Sequence, residues 1–510
     1  MGTKPNIVFI VLDTLRRDRL GLYGYPQESS PHLDAFAQAA TVYERAMATA
    51  QWTVPSHASM FTGLYPRQHQ LLQVDGCLSE MQPTLAEILQ VDGYHTVGFC
   101  NNPLVGVLYN GLQRGFTNFY NYAGVKPNYP VDTITGAVRG RMEALWAEGL
   151  RRFSTQFAHD GLLFRLSLRK RMMPLWMKRV HNKGNTRRSI QDTIDFLEAY
   201  QEEAPYFAFI NLMGSHLPYQ PPSEDLEFIS PEIYKSKVAR QYMQAFNADA
   251  SQWLLPPDPA FEDWQAATLD AFYSAEVRAQ DRELGRLLDY LEKSGQLADT
   301  LVIITADHGE GLGDHGFFGH GFVVNQELVH VPLIIHYPER FQAGFVPETV
   351  STRRIFHTVL DVLDLIPPID ESDANADVKG LSLLNQAPTA TQATETLSEA
   401  IAPDNFISIV RSRRPDLIQK RQLTMPRRAL YQGDYKLMLL GESVEAFYHV
   451  GQDPLEEINL MQIYPEEVEK MKIVLLEALA RLSAGGALGA TQQMIDPLVL
   501  QNLRELGYVD

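Results

Sequence analysis

Asn6-Ile7-Val8-Phe9-Ile10-Val11-Leu12-Asp13 places seven strand-forming residues directly before a carboxylate. An almost unbroken β-branched and apolar run of this length is expected of a strand buried on both faces of a mostly parallel sheet. In open α/β sheets, ligands collect at the carboxyl ends of strands, so Asp13 stands where a functional group belongs. One aspartate can equally cap a following helix, and this run alone does not separate the two readings.

The pattern recurs along the chain. His95–Cys100 (HTVGFC), Pro205–Leu212 (PYFAFINL), Thr300–Thr305 (TLVIIT) and Val331–Tyr337 (VPLIIHY) read as further strands. Residues 32–47 and 82–92 read as amphipathic helices, and 266–294 carries a helical apolar period that Gly295 ends. Residues 102–135 read as loops, 220–264 as a surface excursion, and 370–398 as a linker or surface loop. Beyond it, Ala429–Leu440 and Glu445–Val450 read as antiparallel strands, followed by helices at 465–483 and 495–507. The expected fold class is α/β, with a large mixed, mostly parallel sheet sandwiched by helices over residues 1–385. A smaller C-terminal α+β subdomain with an antiparallel sheet is expected over 386–510.

A net charge of −18 argues against general nucleic-acid binding. Two cysteines, Cys77 and Cys100, are too few for a disulfide framework. The first apolar run is too short to span a membrane and has no cleavage site, so the expected location is cytoplasmic, without signal peptide or transmembrane segment. Asn6 also stands where an N-myristoylation signal needs Ser or Thr. Residues 139–188 depart from the rest: 13 Lys/Arg face three acidic residues there, with Leu, Phe, Met and Trp interleaved. A helical insertion with solvated charges is the default reading of such a run. The alternatives are a peripheral membrane contact or a lid that gathers anionic substrate. A homo-oligomer is also compatible with the sequence.

Chemistry concentrates in two places. Thr53-Val54-Pro55-Ser56-His57 puts a hydroxyl two residues before a proline suited to a first helical turn, with the helix read as Ser56–Thr62 and stopped by Gly63. Thr53 there is either an N-cap or a nucleophile beside unpaired N–H groups that favour an anion. Asp307-His308-Gly309-Glu310 follows the Thr300–Thr305 run, and a glycine-rich loop carries on to His320. Asp13, Asp307, His308 and Thr53 suit one hard or borderline divalent cation. His216, His320, His57 and Arg16 are then candidates to protonate a leaving group or bind anionic oxygens.

These motifs resemble the sulfatase family of the alkaline-phosphatase superfamily. Leu12-Asp13-Thr14-Leu15-Arg16 with Gly21-Leu22-Tyr23-Gly24-Tyr25 is similar to a bacterial branch. Thr53–His57 with Thr62-Gly63-Leu64-Tyr65-Pro66 falls on the nucleophile signature, and Ser215-His216-Leu217-Pro218-Tyr219 on the histidine-Pro-Tyr loop. Ala306–Glu310 with Gly313-Asp314-His315-Gly316 resembles the second metal motif, and Gly433–Leu437, Asp453-Pro454 and Leu503–Val509 resemble the family's C-terminal part.

The departures bear on chemistry. The resemblance implies a cysteine or serine oxidised to formylglycine, but a threonine is a secondary alcohol and cannot yield an aldehyde, so no formylglycine is expected. His57 stands in place of the signature arginine, Thr14 in place of the second aspartate, and His320 in place of a lysine. The set Asp13, Thr53, Asp307 and His308 resembles that of phosphonate-monoester and phosphodiester hydrolases. One divalent ion is expected (Ca, Mn or Mg, with Zn compatible), because no second complete ligand pattern is visible. The expected protein is a metal-dependent hydrolase of a small anionic sulfate or phosphate ester, with Thr53 as nucleophile or as a hydroxyl ligand. The chemistry of Thr53 favours a phosphate diester or phosphonate monoester. A phospho-group transferase, a catalytically inactive metal- and anion-binding protein and a membrane-associated enzyme acting on lipid headgroups are the alternatives.

Overall fold

The computed structural model describes residues 4–123, 130, 183–367, 377–385, 395–484 and 491–492. Its strands are β1 (Asn6–Leu12), β2 (Thr41–Met47), β3 (Gly76–Cys77), β4 (His95–Cys100), β5 (Asn118–Asn121), β6 (Tyr206–Leu212), β7 (Thr300–Thr305), β8 (Gly311–Leu312) and β9 (Phe318–Gly319). They continue with β10 (His330–His336), β11 (Gly344–Ser351), β12 (Thr396–Ala400), β13 (Arg427–Gln432), β14 (Tyr435–Leu440), β15 (Ser443–His449) and β16 (Thr491–Gln492). Eight of them form one sheet in the order β11-β2-β10-β7-β1-β6-β4-β5, and β12-β13-β14-β15 form a second, antiparallel sheet. Only β10 opposes its neighbours in the large sheet, being antiparallel to both β2 and β7. The expected α/β architecture with a C-terminal antiparallel sheet is the one observed.

β1 lies at the centre, and its six residues Ile7–Leu12 are buried. Burying six such side chains contributes on the order of 10 kcal/mol. That is enough to hold a strand whose carboxyl end carries a buried charge. Register then lines up the site. Val11 is level with Thr305 of β7 and Asn211 of β6, and Asn211 with Cys100 of β4. Two residues further on in each strand come Asp13, Asp307 and Asn102, so all three leave the sheet at the same level.

The structure corrects four segment readings. Residues 32–47 are not one helix: α1 (Pro31–Ala37) ends in a turn and β2 follows. The β-branched start Thr41-Val42 finds hydrogen-bonding partners in both β10 and β11, and sheet pairing overrides the helical period. Residues 220–264 include helices Ser223–Ile229, Pro231–Lys235 and Lys237–Asn247. The stretch 102–135 contributes a short helix at Pro103–Gly106 and edge strand β5, and 370–398 contains the helix Val378–Leu381 and the start of β12. Most of the basic segment, residues 131–182, and the terminal helix read at 495–507 lie outside the described residues. Among the described residues, no helix is long and apolar enough to cross a membrane.

The second sheet is joined to the first beside the site. Glu399 N–H donates to Thr49 O at 2.9 Å and Ser398 Oγ to Ala48 O at 2.6 Å, both on the segment leaving β2. A polar junction adds to this. Lys436 Nζ, fully buried, donates to Val324 O and pairs with Glu456, whose second oxygen accepts from Asn325 and from the Gln326 N–H. His315 Nδ1 lies 3.0 Å from Glu327 close by. His315, Glu327 and Glu456 have ligand-type atoms near one another, but Lys436 and the His315–Glu327 pair already balance their charge. The group reads as an ion-pair junction.

Removing one partner of a buried pair strands the other charge. Glu456→Gln is expected to lower stability by about 3–5 kcal/mol in urea unfolding. The double variant Lys436→Met/Glu456→Leu should lose less, and equal losses would show that the pair is not what joins the two sheets.

Candidate active site

The segment leaving β2 leads into α2 (Thr53–Thr62), every residue of which is buried. The helix begins at Thr53, three residues earlier than its sequence suggests. Trp52 is the N-cap and makes no side-chain cap bond, so Thr53 is the first helical residue and not the cap. Phe61 packs edge-on against Phe209 of β6 at 5.0 Å between ring centroids, and Phe9 of β1 meets Phe209 at 5.8 Å. Ser56 Oγ donates to Asp307 O at 2.6 Å. This packing sets the height of Thr53 over the strand ends.

Around Thr53 the ligand-type groups converge. The ligand atoms of Asp13, Asp307 and His308 all lie within 4.8 Å of one another, and all three residues are fully buried. His308 Nδ1 is 2.8 Å from Gly309 O, and a carbonyl only accepts, so Nδ1 carries the proton. Nε2 is left with its lone pair, 3.4 Å from both Thr53 Oγ1 and Asp307 Oδ2. Asp307 Oδ1 accepts from the N–H of His308 at 2.9 Å and of Thr14 at 3.3 Å. Asn102 donates to Asp13 Oδ2 and lies 3.4 Å from Thr53 Oγ1. The other oxygens, Asp13 Oδ1 and Asp307 Oδ2, are buried without a hydrogen-bond partner.

Two orphaned carboxylate oxygens beside an imidazole lone pair fit a divalent cation of the oxygen- and nitrogen-binding kind. Electrostatics agree. Burial, and then the neighbouring Asp307, push the Asp13 carboxyl well above its ordinary range. Burial pushes Asp307 up to about 7 and His308 down to about 4.

The remaining expected residues divide. His320 and His216 line the site. The His320 ring is 4.6 Å from that of His308 and 5.1 Å from that of His216, and burial lowers both to about 3. His57 and Arg16 are placed differently from their expected roles. His57 Nδ1 donates to Thr53 O at 3.0 Å, and Asn211 Nδ2 donates to Nε2 at 3.3 Å, so both ring nitrogens serve the protein. The imidazole braces the first turn of α2 from below. Arg16 is ion-paired with Asp18 at 2.7 Å and Asp314 at 2.8 Å and also donates to Glu310 O, so its donors fix the loop after β7. Sequence showed the residue types but not these partners.

Three residues emerge only from the structure. Asn102 obeys the same strand-end rule as Asp13, and its position after HTVGFC was the available signal. Glu310 pairs with His320 at 2.8 Å. Lys183, at the end of the basic segment, donates to Gly214 O at 2.7 Å, Pro218 O at 3.0 Å and Glu276 at 2.9 Å, and so clamps both sides of His216.

A hydroxyl at a helix start, facing a group of metal-ligand type and two further imidazoles at the edge of a mostly parallel sheet, is an arrangement suited to the hydrolysis of acid esters. Comparison with known proteins narrows the class. The family model described as Sulfatase matches residues 5–365, and the chain belongs to the sulfatase family. It is 24% identical over 374 residues to an arylsulfatase of Clostridium perfringens, covering 72% of this chain and 74% of that one. The fold is shared with the phosphonate monoester hydrolase of Agrobacterium radiobacter, at a TM-score of 0.64 and 19% identity over 96% of this chain and 100% of that one. The phosphonate monoester hydrolase from Silicibacter pomeroyi superposes with a TM-score of 0.60 at 20% identity, covering 96% and 99%.

Two outcomes follow from this geometry. A carboxyl whose folded pKa is raised binds more protons folded than unfolded, so the metal-free protein loses stability as pH rises from about 4 through about 7. A bound cation favours the ionised carboxylates. The rise in Tm on adding Mn2+ should therefore be larger at pH 8 than at pH 6, and absent in Asp13→Asn and Asp307→Asn. Equal rises at both pH values would remove the assignment. Lys183→Met should lower kcat about 10- to 100-fold through displacement of His216, with Mn2+ affinity by calorimetry unchanged.

Proposed function

We propose that this sulfatase-family hydrolase cleaves a small monoanionic phospho ester, a phosphate diester or a phosphonate monoester, with Thr53 as nucleophile. The observation that carries this reading is the Thr53 hydroxyl, buried beside His308 Nε2 and Asn102, at the position to which the sequence resemblance assigns the formylglycine. A hydrated aldehyde releases sulfate by collapsing to a carbonyl. Threonine has no such route, and its ester must be opened by water, which a phospho ester permits more readily. The fold is compatible with that substrate class, being shared with phosphonate monoester hydrolases, and it is shared equally with a structure bound to its substrate D-glucosamine-2-N,6-O-disulfate.

Thr53 Oγ1 gives up its proton and attacks phosphorus, the bond to the departing alcohol breaks, and that oxygen takes up the proton relayed through a free imidazole nitrogen on the His216–His320 side. Water then attacks the phospho-threonine, the bond from phosphorus to Oγ1 breaks, and Thr53 is regenerated. Asn102 orients Thr53 and Asp13 together. A divalent cation held by Asp13, Asp307 and His308, with Thr53 as a further oxygen ligand, would supply charge for the substrate oxygens and acidify the hydroxyl. Sulfate ester hydrolysis is the second reading, favoured by the arylsulfatase relative.

Metal-reconstituted protein should be assayed in parallel on nitrophenyl sulfate, a nitrophenyl phosphate monoester, a phosphate diester and a phosphonate monoester. The diester or phosphonate should turn over fastest, and Thr53→Ala should lose at least about 10³-fold while still binding metal. Turnover of the sulfate alone sinks the phospho reading, and unchanged turnover by Thr53→Ala sinks the nucleophile.

A further inference from the structure

Glu310 has no part in the scheme above, yet it is fully buried at the edge of the site. Its Oε1 lies 2.8 Å from His320 Nδ1, and its Oε2 has no hydrogen-bond partner. Both ends of the pair are held rigidly. Arg16 donates to the Glu310 carbonyl at 3.1 Å, and the Gly309 N–H donates to Leu328 O at 2.7 Å. His320 sits between two glycines whose smallness the packing demands. A Cβ on Gly319 would meet Trp253 O at 2.4 Å, and one on Gly321 would meet Phe406 at 2.7 Å. Apolar side chains of similar size would fill this space without burying a carboxylate, so a purely structural reason for the pair is weak.

We infer that Glu310 is a positioning residue for the hydrolysis, holding His320 by Nδ1 so that Nε2 is the nitrogen presented to the departing oxygen. The inference rests on the reading of Thr53 as nucleophile. An ionised carboxylate only accepts hydrogen bonds, so the shared proton sits on Nδ1 in both charge states of the ring. In the first half-reaction the proton lost by Thr53 Oγ1 reaches the free Nε2 and passes on to the departing alkoxide, so the ring begins and ends neutral with its proton on Nδ1. In the second, the attacking water gives a proton to Nε2, which hands it to the departing Oγ1 of Thr53. Glu310 neither gains nor loses a proton in either half-reaction, and nothing is consumed except water and ester. The arrangement is the carboxylate–imidazole pairing that fixes tautomer and orientation in other hydrolases.

The test uses Mg2+-reconstituted protein and two phospho esters of one class, with nitrophenol or phenol as leaving group. Nitrophenolate departs without a proton and phenolate departs poorly, so a residue acting through His320 must matter more for the phenyl ester. Glu310→Gln is expected to lower kcat on the phenyl ester about 10²-fold and on the nitrophenyl ester only severalfold, with KM unchanged. In a His320→Gln background the same substitution should add no further loss. Equal slowing of both esters, or a further loss in that background, overturns the inference. Should Glu310→Gln not fold, nitrogen NMR of the wild type decides, with the His320 signals assigned by their absence in His320→Gln. A protonated Nδ1 in the neutral ring supports the inference, and a protonated Nε2 overturns it. Thr53→Ala, run on the same esters, keeps the two ideas apart. If it retains turnover, the nucleophile reading fails; if it is inactive while Glu310→Gln fails the tests above, only the Glu310 inference fails.

Discussion

Two carboxylates, Asp13 and Asp307, end adjacent parallel strands at the same level and are fully buried. Like charges this close oppose each other, and desolvation of each ion costs several kcal/mol. The chain relieves only half of that. One oxygen of each carboxylate is hydrogen-bonded, by Asn102 on Asp13 and by two backbone N–H groups on Asp307. The other two oxygens are left without hydrogen bonds. Folding energy from the β1 core therefore holds open a place for positive charge, which is the physical basis of the site.

Much of the surrounding structure follows from keeping that place fixed. Thr14 adopts φ +58°, a conformation strained for a β-branched residue, and this turns its N–H toward Asp307. Its own Oγ1 bonds back to Asp13 O, and Tyr273 OH donates to its carbonyl at 2.6 Å. Arg16 cannot leave its two aspartates without releasing the loop that carries Glu310. The second sheet acts at a distance in the same way. Gln51 Nε2 bonds both Gly321 O, next to His320, and Ile401 O, just after β12. The C-terminal part thus supports the loop bearing His320 as well as the approach to Thr53.

What could be read in advance was what local pattern encodes. A run such as NIVFIVL has one stable use in an α/β protein, and the residue after it inherits a functional position. Asp13, Asp307 and His308 were accessible for that reason. Asn102 follows the same logic but lay in a stretch whose Gly, Asn and Pro content reads as loop. The roles of His57 and Arg16 depended on partners far away in sequence, Asn211 and Asp314, and no local signal reveals such pairing. The strand at Thr41–Met47 was hidden because Val42, Tyr43, Ala46 and Met47 satisfy a helical period as well as a buried interior strand.

The substitution at Thr14 also bears on substrate charge. The resemblance implies a second aspartate beside Asp13, and threonine removes one negative charge from the site. Asp13 and Asp307 with a neutral His308 carry −2, which a divalent cation cancels. With Thr53 ionised, as the proposed scheme has it, the assembly would stand at −1 before substrate enters. A monoanionic diester, phosphonate monoester or sulfate ester adds one more negative charge, whereas a phosphate monoester dianion adds two. In a site with carboxylates and imidazoles at its centre, and with Arg16 and Lys183 already committed to acidic partners, the monoanion is the easier guest. On the proposed reading charge favours a monoanionic ester, and the missing aldehyde favours the phospho members of that class, because among monoanionic esters only the sulfate would call for an aldehyde to release it.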